Sequence, residues 1–267
     1  MKYKVLITDY DDTFIKKDKT ISQEQLKSVK DFILRGGHFI VCTGRMISGI
    51  KPRLLKDGIN GYFACFNGAY IENLKQNKVI FSNKIPNSIC QKASIFAEKT
   101  GLNLQAYDDT CFFTEKENSF TDFYKKVLGV THKTVGKLTQ YFLNNNDGSY
   151  KLMFCDQKEK LDKYFNQIYD LLSNECEVIR SNDIQIDINS KGITKGNAVK
   201  TISKLLSVPI DQIICVGDSG NDIPMLTSGA ISMAVDNAKD SVKKVCKYIV
   251  PSNQDDAIKY IIDNFCI

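Results

Sequence analysis

The chain has 267 residues, of which 43% are hydrophobic and 25% charged, a composition typical of a globular protein with one large or two modest domains. Its net charge of +5 comes from scattered Lys and Arg residues rather than from one basic stripe, which argues against a nucleic-acid partner. Because no apolar run approaches the roughly 18 residues that span a bilayer, and the N-terminal Met1-Lys2-Tyr3-Lys4 is unlike a signal peptide, we expect no membrane segment.

The first predicted strand, at residues 5–7, leads into an acidic segment with the sequence Asp9-Tyr10-Asp11-Asp12-Thr13. Because side chains alternate along an extended chain, Asp9 and Asp11 are expected to point the same way. Two carboxylates so near each other repel, unless a cation or a shared proton compensates their charge. Taken alone, the segment also fits a polar turn, since Asp and Thr are common turn residues.

A helix and a further strand follow the acidic segment. Ser22 and Gln25 resemble a capping box, and Gly36-Gly37 marks the end of the helix. The apolar strand at residues 38–42 runs directly into Thr43-Gly44-Arg45. Later apolar strands also end at small or polar residues: 62–66 before Asn67-Gly68, 213–216 before Gly217-Asp218, 230–235 before Asp236-Asn237 and 248–250 before Pro251.

Apolar strands that alternate with amphipathic helices predict a parallel sheet covered by helices on both faces. Ligands bind such sheets beyond the carboxyl ends of the strands. We therefore expect Asp9, Thr43, Asn67 and Asp218 to meet at one edge of the sheet, although they are far apart in the sequence.

Residues 82–187 have a different pattern, in which strands in pairs are separated by helices. The predicted helices cover residues 86–100, 120–128 and 158–172, and the predicted strands cover 102–107, 111–114, 150–155, 177–180 and 184–188. This pattern predicts an α+β module inserted into the first domain. Tyr107, Phe112 and Phe113 are aromatic candidates for ligand contacts in it, but aromatic residues in strands more often pack in the core.

The first pattern resumes at Gly192-Ile193-Thr194-Lys195-Gly196-Asn197. Thr194 is a candidate helix cap, which places Lys195 in the first turn of the helix. An exposed side chain is the commonest outcome for such a lysine. A lysine beside the free N–H groups of a helix start, however, also makes an anion-binding site.

Four motifs in this order resemble those of the haloacid dehalogenase superfamily: Asp9-x-Asp11-x-Thr13, Thr43-Gly44-Arg45, Lys195-Gly196-Asn197 and Gly217-Asp218-x-x-Asn221-Asp222-x-x-Met225. The inserted module and the Asn67-Gly68-Ala69 segment are similar to the Cof-type phosphatases of subclass IIB. The resemblance covers essentially the whole chain, and chance would require about four coincidences in the right order. Asp12, where many members have Gly, and Thr8, where Phe is commoner, depart from the pattern outside the catalytic positions.

The resemblance implies a phosphatase that works through an aspartyl-phosphate, with Asp9 as the nucleophile and Asp11 as general acid and then general base. It implies Mg²⁺ bound by Asp9, Asp218 and the backbone carbonyl of Asp11. Asp222 would hold metal-bound water or orient Lys195. The phosphoryl oxygens would be bound by Thr43, the amide of Gly44, Lys195 and Asn221.

We therefore predict an α/β protein with a Rossmann-like parallel-sheet catalytic core of residues 1–81 and 188–267 and an inserted α+β cap of residues 82–187 that sets specificity. The resemblance implies a small phosphorylated metabolite as substrate, such as a sugar phosphate or a cofactor or nucleotide phosphate. A phosphomutase of the same subclass is the nearest alternative, because it uses the same Asp9 and Asp11. A non-catalytic metabolite-binding protein is disfavoured, since binding alone would not need both carboxylates.

The cysteines and histidines give no sign of a separate site. The nine cysteines are spread singly with no C-x-x-C pair, which favours a reducing, cytoplasmic setting. His38 and His132 are the two histidines, and neither lies in a motif, which argues against a Cys–His or His–metal site. The sequence leaves the oligomeric state open.

Overall fold

The computed structural model describes residues 3–266, apart from the side chains at positions 127 and 128. The chain separates into two compact units. The first contains the residues up to 44, residues 52–81 and those from 194 onward, and the second contains residues 45–51 and 82–193. Met1 and Lys2, which belong to the N-terminal segment considered above, lie outside the described residues.

Within the described residues the chain forms fourteen strands and ten helices. The strands are β1 (Val5–Thr8), β2 (His38–Cys42), β3 (Tyr62–Cys65), β4 (Tyr70–Asn73), β5 (Lys78–Ser82), β6 (Leu104–Tyr107), β7 (Cys111–Thr114), β8 (Thr131–Thr134), β9 (Lys151–Cys155), β10 (Cys176–Asn182), β11 (Gln185–Ser190), β12 (Ile213–Gly217), β13 (Ile231–Val235) and β14 (Tyr248–Val250). The helices are α1 (Gln23–Leu34), α2 (Lys51–Lys56), α3 (Asn87–Thr100), α4 (Ser119–Leu128), α5 (Leu138–Asn144), α6 (Lys158–Leu172), α7 (Lys195–Leu206), α8 (Ile223–Leu226), α9 (Asp240–Lys243) and α10 (Ala257–Phe265).

The first unit is built on an eight-stranded sheet with the order β14-β13-β12-β1-β2-β3-β4-β5. The strands from β14 to β3 in this order pair in parallel, and β4 pairs antiparallel with β3. Residues 5–7 of the central strand β1 are fully buried, as expected for a strand covered on both faces. The register places Thr8 beside Val41 and Val216, so β1, β2 and β12 end at the same edge of the sheet.

Helix α1 begins after Ser22, but without the complete capping box that the sequence indicates. The Ser22 hydroxyl accepts a hydrogen bond from the Gln25 amide at 3.0 Å. The Gln25 side chain turns inward instead, where it donates to the Phe14 carbonyl at 2.9 Å and accepts from the Ile258 amide at 3.0 Å. This buried side chain therefore links α1 to α10 and to the segment that follows β1.

The second unit contains a six-stranded sheet with the order β10-β11-β9-β6-β7-β8. Its neighbouring strands pair antiparallel, except for the parallel pair β7–β8. Helices α3, α5 and α6 cover one face of this sheet with an apolar cluster that includes Ile89, Phe142, Phe154 and Leu161. The unit therefore has a hydrophobic core of its own.

The three aromatic candidates of this unit are all buried, and they divide between the two faces of its sheet. Phe113 belongs to the apolar cluster beneath the helices. Tyr107 and Phe112 are paired across β6 and β7 and stack at a centroid distance of 5.7 Å. On the face that carries Tyr107, Lys151 Nζ lies 2.7 Å from Asp187 Oδ1 in a nearly buried ion pair.

The predicted α/β fold, with a parallel core sheet and an inserted α+β unit, is confirmed. Elements that the sequence patterns missed include β4, β5, β8 and α5. Two of these have weak local signals, since β8 is a polar strand without alternation and α5 has only 7 residues. The junction between the two units was predicted at residue 188. Residues 188–193 cluster with the second unit, since β11 continues to Ser190 and pairs with β9 and β10. No helix among residues 3–266 is both long and apolar enough to cross a lipid bilayer.

Candidate active site

Asp9 follows the last residue of β1 at the carboxyl edge of the first sheet. Its amide donates to the Val216 carbonyl of β12 at 3.0 Å, and the residue is 5% exposed. The chain then makes one wide turn over Tyr10–Phe14, closed by a hydrogen bond from the Ile15 amide to the Tyr10 carbonyl at 3.0 Å. Asp12 has a φ of 54° in this turn, a left-handed conformation that Gly adopts freely and Asp tolerates better than most residues. This explains why Asp is accommodated where related sequences often have Gly.

Lys195 lies between the carboxylates of Asp9 and Asp222. The Thr194 hydroxyl caps α7 by accepting from the Asn197 amide at 3.2 Å, which places Lys195 at the first helical position. Its Nζ lies 2.6 Å from Asp222 Oδ1, it also contacts Asp9 Oδ1, and its side chain is fully buried. Burial alone would lower the pKa of Lys195, but Asp222 and Asp9 outweigh burial and raise it, so the ammonium stays charged.

The segment after β12 is organised by the side chain of Asp222. Its Oδ2 accepts from the amides of Asp218 at 3.0 Å and Ser219 at 2.9 Å, and it forms a capping box with Ser219. Gly217 packs so closely on this carboxylate that a Cβ at position 217 would lie 2.5 Å from Cγ of Asp222. Asp222 therefore holds the loop with one oxygen and Lys195 with the other.

Oxygen atoms of Asp9, Asp218 and Asp222 lie within 4.8 Å of one another. These three carboxyl groups face one ammonium, that of Lys195, so ionisation of all three would leave negative charge in excess. Burial raises the pKa of Asp9, with Asp222 and Asp218 adding to that effect and Lys195 opposing it. Burial and then Asp222 raise the pKa of Asp218 from 3.8 to about 6. A hard divalent cation bound by these oxygens would relieve the repulsion, so the donor set fits Mg²⁺.

The hydroxyl of Thr13 orients the Asp218 carboxylate. Oγ1 of Thr13 donates to Oδ1 of Asp218 at 2.8 Å, and Thr13 is buried in the wide turn that follows Asp9. The motif in the sequence contains Thr13, but its spacing indicates no function for that residue. The contact joins positions 205 apart in the chain, which chain order alone does not reveal.

A second group of predicted residues lies where β2 and β3 end. The Thr43 amide donates to the Ala64 carbonyl, and the Thr43 carbonyl accepts from the Asn67 amide, both at 2.9 Å. A Cβ on Gly44 would lie 3.1 Å from Oδ1 of Asn67 and 3.7 Å from Nδ2 of Asn221. Asn221 donates to Asn67 at 3.3 Å. Asn67, for which the local sequence also fits a tight turn, therefore belongs to this group.

The carboxyl group of Asp11 has a different neighbour. Its Oδ1 lies 3.2 Å from Nζ of Lys19, and Asp11 is half-buried. Asp11 is not among the three carboxylates whose oxygens lie within 4.8 Å of one another. The alternation argument for Asp9 and Asp11 does not apply, because the strand ends at Thr8 and the wide turn begins at Tyr10.

The chain matches a known family over nearly its full length. Residues 6–262 fit the family of haloacid dehalogenase-like hydrolases. The chain belongs to this family. The predictions of a haloacid dehalogenase superfamily member and of a phosphatase are thereby confirmed.

Several relatives of this haloacid dehalogenase-like hydrolase align with it over nearly their whole length. The 5-amino-6-(5-phospho-D-ribitylamino)uracil phosphatase YcsE of Bacillus subtilis is 22% identical, with 99% of this chain and 96% of that protein covered. A haloacid dehalogenase-like hydrolase from Bacteroides thetaiotaomicron has a TM-score of 0.88 at 22% identity, with 98% of both chains covered. The subclass IIB sugar phosphatase BT4131 has a TM-score of 0.85 at 22% identity, covering 98% of this chain and 99% of that chain. The solved structures share the fold.

The site of this haloacid dehalogenase-like hydrolase contains residues that the sequence indicated and residues that it did not. Contacts or close approaches join Asp9 to Lys195, Asp218 and Asp222, and Gly44 to Asn221. Thr43 directly precedes Gly44, and Asp11 directs its carboxyl to a lysine. The sequence did not predict the contact of Thr13 with Asp218, which lies 205 positions away, or that of Lys19 with Asp11.

Proposed function

We propose that this haloacid dehalogenase-like phosphatase hydrolyses small phosphate monoesters through an aspartyl-phosphate formed on Asp9. The observation that carries the proposal is the buried contact of Asp9 with Lys195, beside Asp218 and Asp222 at the edge of the sheet. An oxygen of Asp9 attacks phosphorus as the bond to the leaving oxygen breaks, and water then cleaves the acyl phosphate, which restores the carboxylate and releases phosphate. The charged Lys195 supplies positive charge where the anionic phosphate must approach.

Asp11 acts in this proposal as the general acid and base. It donates a proton to the leaving alkoxide in the first half-reaction and accepts one from the attacking water in the second. Its position two residues after the nucleophile supports this assignment.

Asp9, Asp218 and the backbone carbonyl of Asp11 would hold Mg²⁺ in this proposal. The excess of buried carboxylate charge and the all-oxygen donor set support that choice. When bound, the cation would offset the repulsion between Asp9 and the phosphate. Asp222 keeps Lys195 and the amides of the loop in place, and Thr13 keeps Asp218 oriented.

The phosphoryl oxygens would be bound by donors from three loops: Thr43, the Gly44 amide, Lys195 and Asn221. The close approach of Gly44 to Asn221 supports this grouping. A Cβ on Gly68 would lie 3.3 Å from the Thr194 carbonyl, so the segment after β3 packs directly on the start of α7. This packing supports the assignment of hydroxyl, amide and ammonium donors to one phosphoryl group, which they would bind more strongly as charge spreads in the transition state.

The proposed substrates are small phosphorylated metabolites, such as sugar phosphates or related cofactor and nucleotide phosphates. Two relatives support this class by their names, since BT4131 is a sugar phosphatase and YcsE acts on a phosphoribitylamino-uracil. We assign specificity to the inserted unit, predicted as a cap of residues 82–187. Its own core and sheet make it a domain whose surface residues can vary without disturbing Asp9 and its neighbours.

We also propose a cytoplasmic location. Eight of the nine cysteines are buried, and Cys246 is half-buried. Burial raises the pKa of Cys42 and of Cys90 to about 12, which disfavours the thiolate needed for disulfide exchange. Such cysteines suit a reducing compartment.

Phosphate release from a panel of phosphorylated metabolites tests the proposal. We expect release by the wild type with Mg²⁺, and no release by a folded Asp9→Asn variant, because an amide does not supply the attacking oxygen. Asp31→Asn, at an exposed aspartate on α1, is the matched control and should retain activity. A thermal melt checks folding of each variant. Near-wild-type activity of Asp9→Asn would contradict the assignment of Asp9 as the nucleophile. No phosphate release from any ester would contradict the phosphatase function.

A further inference from the structure

Lys19 reaches back across a turn to the carboxyl group of Asp11. Its Nζ lies 3.2 Å from Asp11 Oδ1, within hydrogen-bonding distance, and both residues belong to the first unit. The side chain of Lys19 is 51% exposed and that of Asp11 is 30% exposed. Exposed ion pairs contribute little to the stability of a fold. We therefore expect this contact to add little to the stability of the fold.

The turn that carries Lys19 is held by its own hydrogen bonds. The Lys16 amide donates to the Thr20 carbonyl, and the Lys19 amide donates to the Lys16 carbonyl, both at 2.9 Å. The Asp18 carboxylate accepts from the Thr20 hydroxyl at 2.6 Å and from the Thr20 amide at 2.9 Å. The bond from the Thr20 hydroxyl lowers the pKa of Asp18 most, and the bond from the Thr20 amide lowers it further, so Asp18 remains an ionised acceptor. Lys19 is thus presented from a defined turn.

The base of this turn is anchored on the body of the unit. Asn253, which is buried, donates its side-chain amide to the Ile15 carbonyl at 2.8 Å. Lys16 Nζ lies 3.3 Å from Asp256 Oδ1. The turn therefore leaves the fold at a fixed point and returns Lys19 toward Asp11.

The backbone at Lys19 is unfavourable for a lysine. Its φ is +65°, in the left-handed region that Gly and Asn adopt far more readily than a residue with a long side chain. Local sequence that disagrees with local backbone is expected where a side chain serves a function. At this position the side chain that the backbone tolerates poorly is the one that reaches Asp11.

We propose that Lys19 is a positioning residue for Asp11, an inference that rests on the proposed function, in which Asp11 is the general acid and base. The ammonium of Lys19 holds the Asp11 carboxyl in one orientation, so that its proton is delivered along the bond to the leaving oxygen. Lys19 itself contacts neither the nucleophile nor the clustered carboxylates in the part of the chain that the structure describes.

Comparing two esters with different leaving groups tests this proposal. A sugar alkoxide needs a proton to leave, whereas 4-nitrophenolate leaves without one. The ratio kcat/KM reports the steps up to formation of the phosphoenzyme, in which this proton is transferred. General acid catalysis contributes roughly 10²–10⁴-fold, and Lys19→Met removes only the anchor of the acid, so we expect kcat/KM for a sugar phosphate to fall about tenfold. For 4-nitrophenyl phosphate we expect a change of less than about twofold, since little acid assistance is needed there.

Two further variants complete the experiment. Lys19→Arg keeps a cationic donor of similar reach and should restore most of the lost kcat/KM. Lys17→Met removes an exposed lysine from the same turn and should match the wild type with both esters. All three variants should melt at the wild-type temperature. These results together would support the positioning role.

The outcomes that overturn the proposal are distinct from those that overturn the proposed function. An active wild type whose Lys19→Met variant is unchanged, or loses kcat/KM equally with both esters, overturns the positioning role alone. Failure of Lys19→Arg to recover activity with the sugar phosphate also overturns it. A wild type that hydrolyses neither ester overturns the proposed function and, with it, this inference.

Discussion

Lys195 and Asp222 form an ion pair in which both side chains are fully shielded from solvent, with Nζ 2.6 Å from Oδ1. The two residues begin different segments, since Lys195 starts α7 and Asp222 directly precedes α8. The remaining oxygen of Asp222 accepts from two amides of the loop after β12. One carboxylate therefore fixes the position of the lysine relative to the loop that carries Asp218.

Removing the ammonium of Lys195 is expected to destabilise the fold as well as abolish activity. Lys195→Met leaves Asp9 and Asp222 buried without their cation, and breaking a buried pair in this way costs about 3–5 kcal/mol. Lys200→Met, at an exposed lysine on the same helix, is the control and should leave stability unchanged. Urea denaturation measures the free energy of unfolding of each protein. Equal stability of Lys195→Met and wild type would contradict the structural importance of the pair.

Chelation and a Thr13 variant together test the metal site. We expect EDTA to abolish activity, Mg²⁺ to restore it and Ca²⁺ to inhibit through its looser coordination. Thr13→Val removes the hydrogen bond that orients Asp218, so the Mg²⁺ concentration for half-maximal activity should rise about tenfold. Thr227→Val, which loses an exposed hydroxyl bonded to the Ile223 carbonyl, should need the wild-type concentration. Full activity after exhaustive chelation would exclude the proposed requirement.

The raised pKa of Asp218 predicts how pH affects the stability of the metal-free protein. Burial, together with Asp222, raises that pKa from 3.8 to about 6. A carboxyl group whose pKa is higher in the folded state binds more protons there, so the free energy of unfolding should fall as pH rises from about 4 to 6. Asp218→Asn should lose this part of the decline. The free energy of unfolding of the wild type and of Asp218→Asn is measured in EDTA across this pH range. The same pH dependence in the two proteins would contradict the prediction.

Gly196 is expected to tolerate no side chain, for a steric reason. A Cβ at this position would lie 2.3 Å from the Pro224 carbonyl oxygen, where α7 packs on α8. Overpacking of this kind costs about 1–3 kcal/mol or more, so Gly196→Ala should be clearly less stable than the wild type. Gly220→Ala is the matched control, because a Cβ there would have no neighbour within 4 Å. Similar unfolding curves for the two variants would show that α7 and α8 can move apart without loss of stability.

The reaction product distinguishes a hydrolase from the phosphomutase alternative. A mutase must hold a second phosphate, for which the bidentate fork of Arg is best suited. Residues 82–187 contain one arginine, Arg180, and it donates to Asp162 at 3.0 Å and to the Asp183 carbonyl. We therefore expect inorganic phosphate from a hexose 1-phosphate, with no dependence on the 1,6-bisphosphate. Phosphorus NMR measures the formation of inorganic phosphate and of the hexose 6-phosphate. Conversion to the 6-phosphate faster than release of inorganic phosphate would favour the mutase.

Much of the first unit follows from the sequence alone. Its central strands are continuous apolar runs that end at polar residues, and that local pattern specifies both the parallel sheet and the edge where Asp9, Thr43 and Asp218 stand. The cap at Thr194 is equally local, since a helix start depends on residues within one turn. The local signal failed for β8, which is a polar strand. The extent of β11 up to Ser190 depends on pairing with β10, not on its local sequence.

The chemistry of the site was decided by the tertiary structure. The local sequence of Lys195 fitted either an exposed side chain or an anion-binding site, and the family resemblance favoured the anion-binding site. In the fold Lys195 is fully buried, because carboxylates 186 and 27 residues away in the chain close on its ammonium. The contacts of Thr13 with Asp218 and of Lys19 with Asp11 likewise depend on how the chain returns to β1. Burial, charge pairing and the resulting pKa values depend on which groups are close in space, and that proximity is fixed only when the whole sheet and its helices have formed.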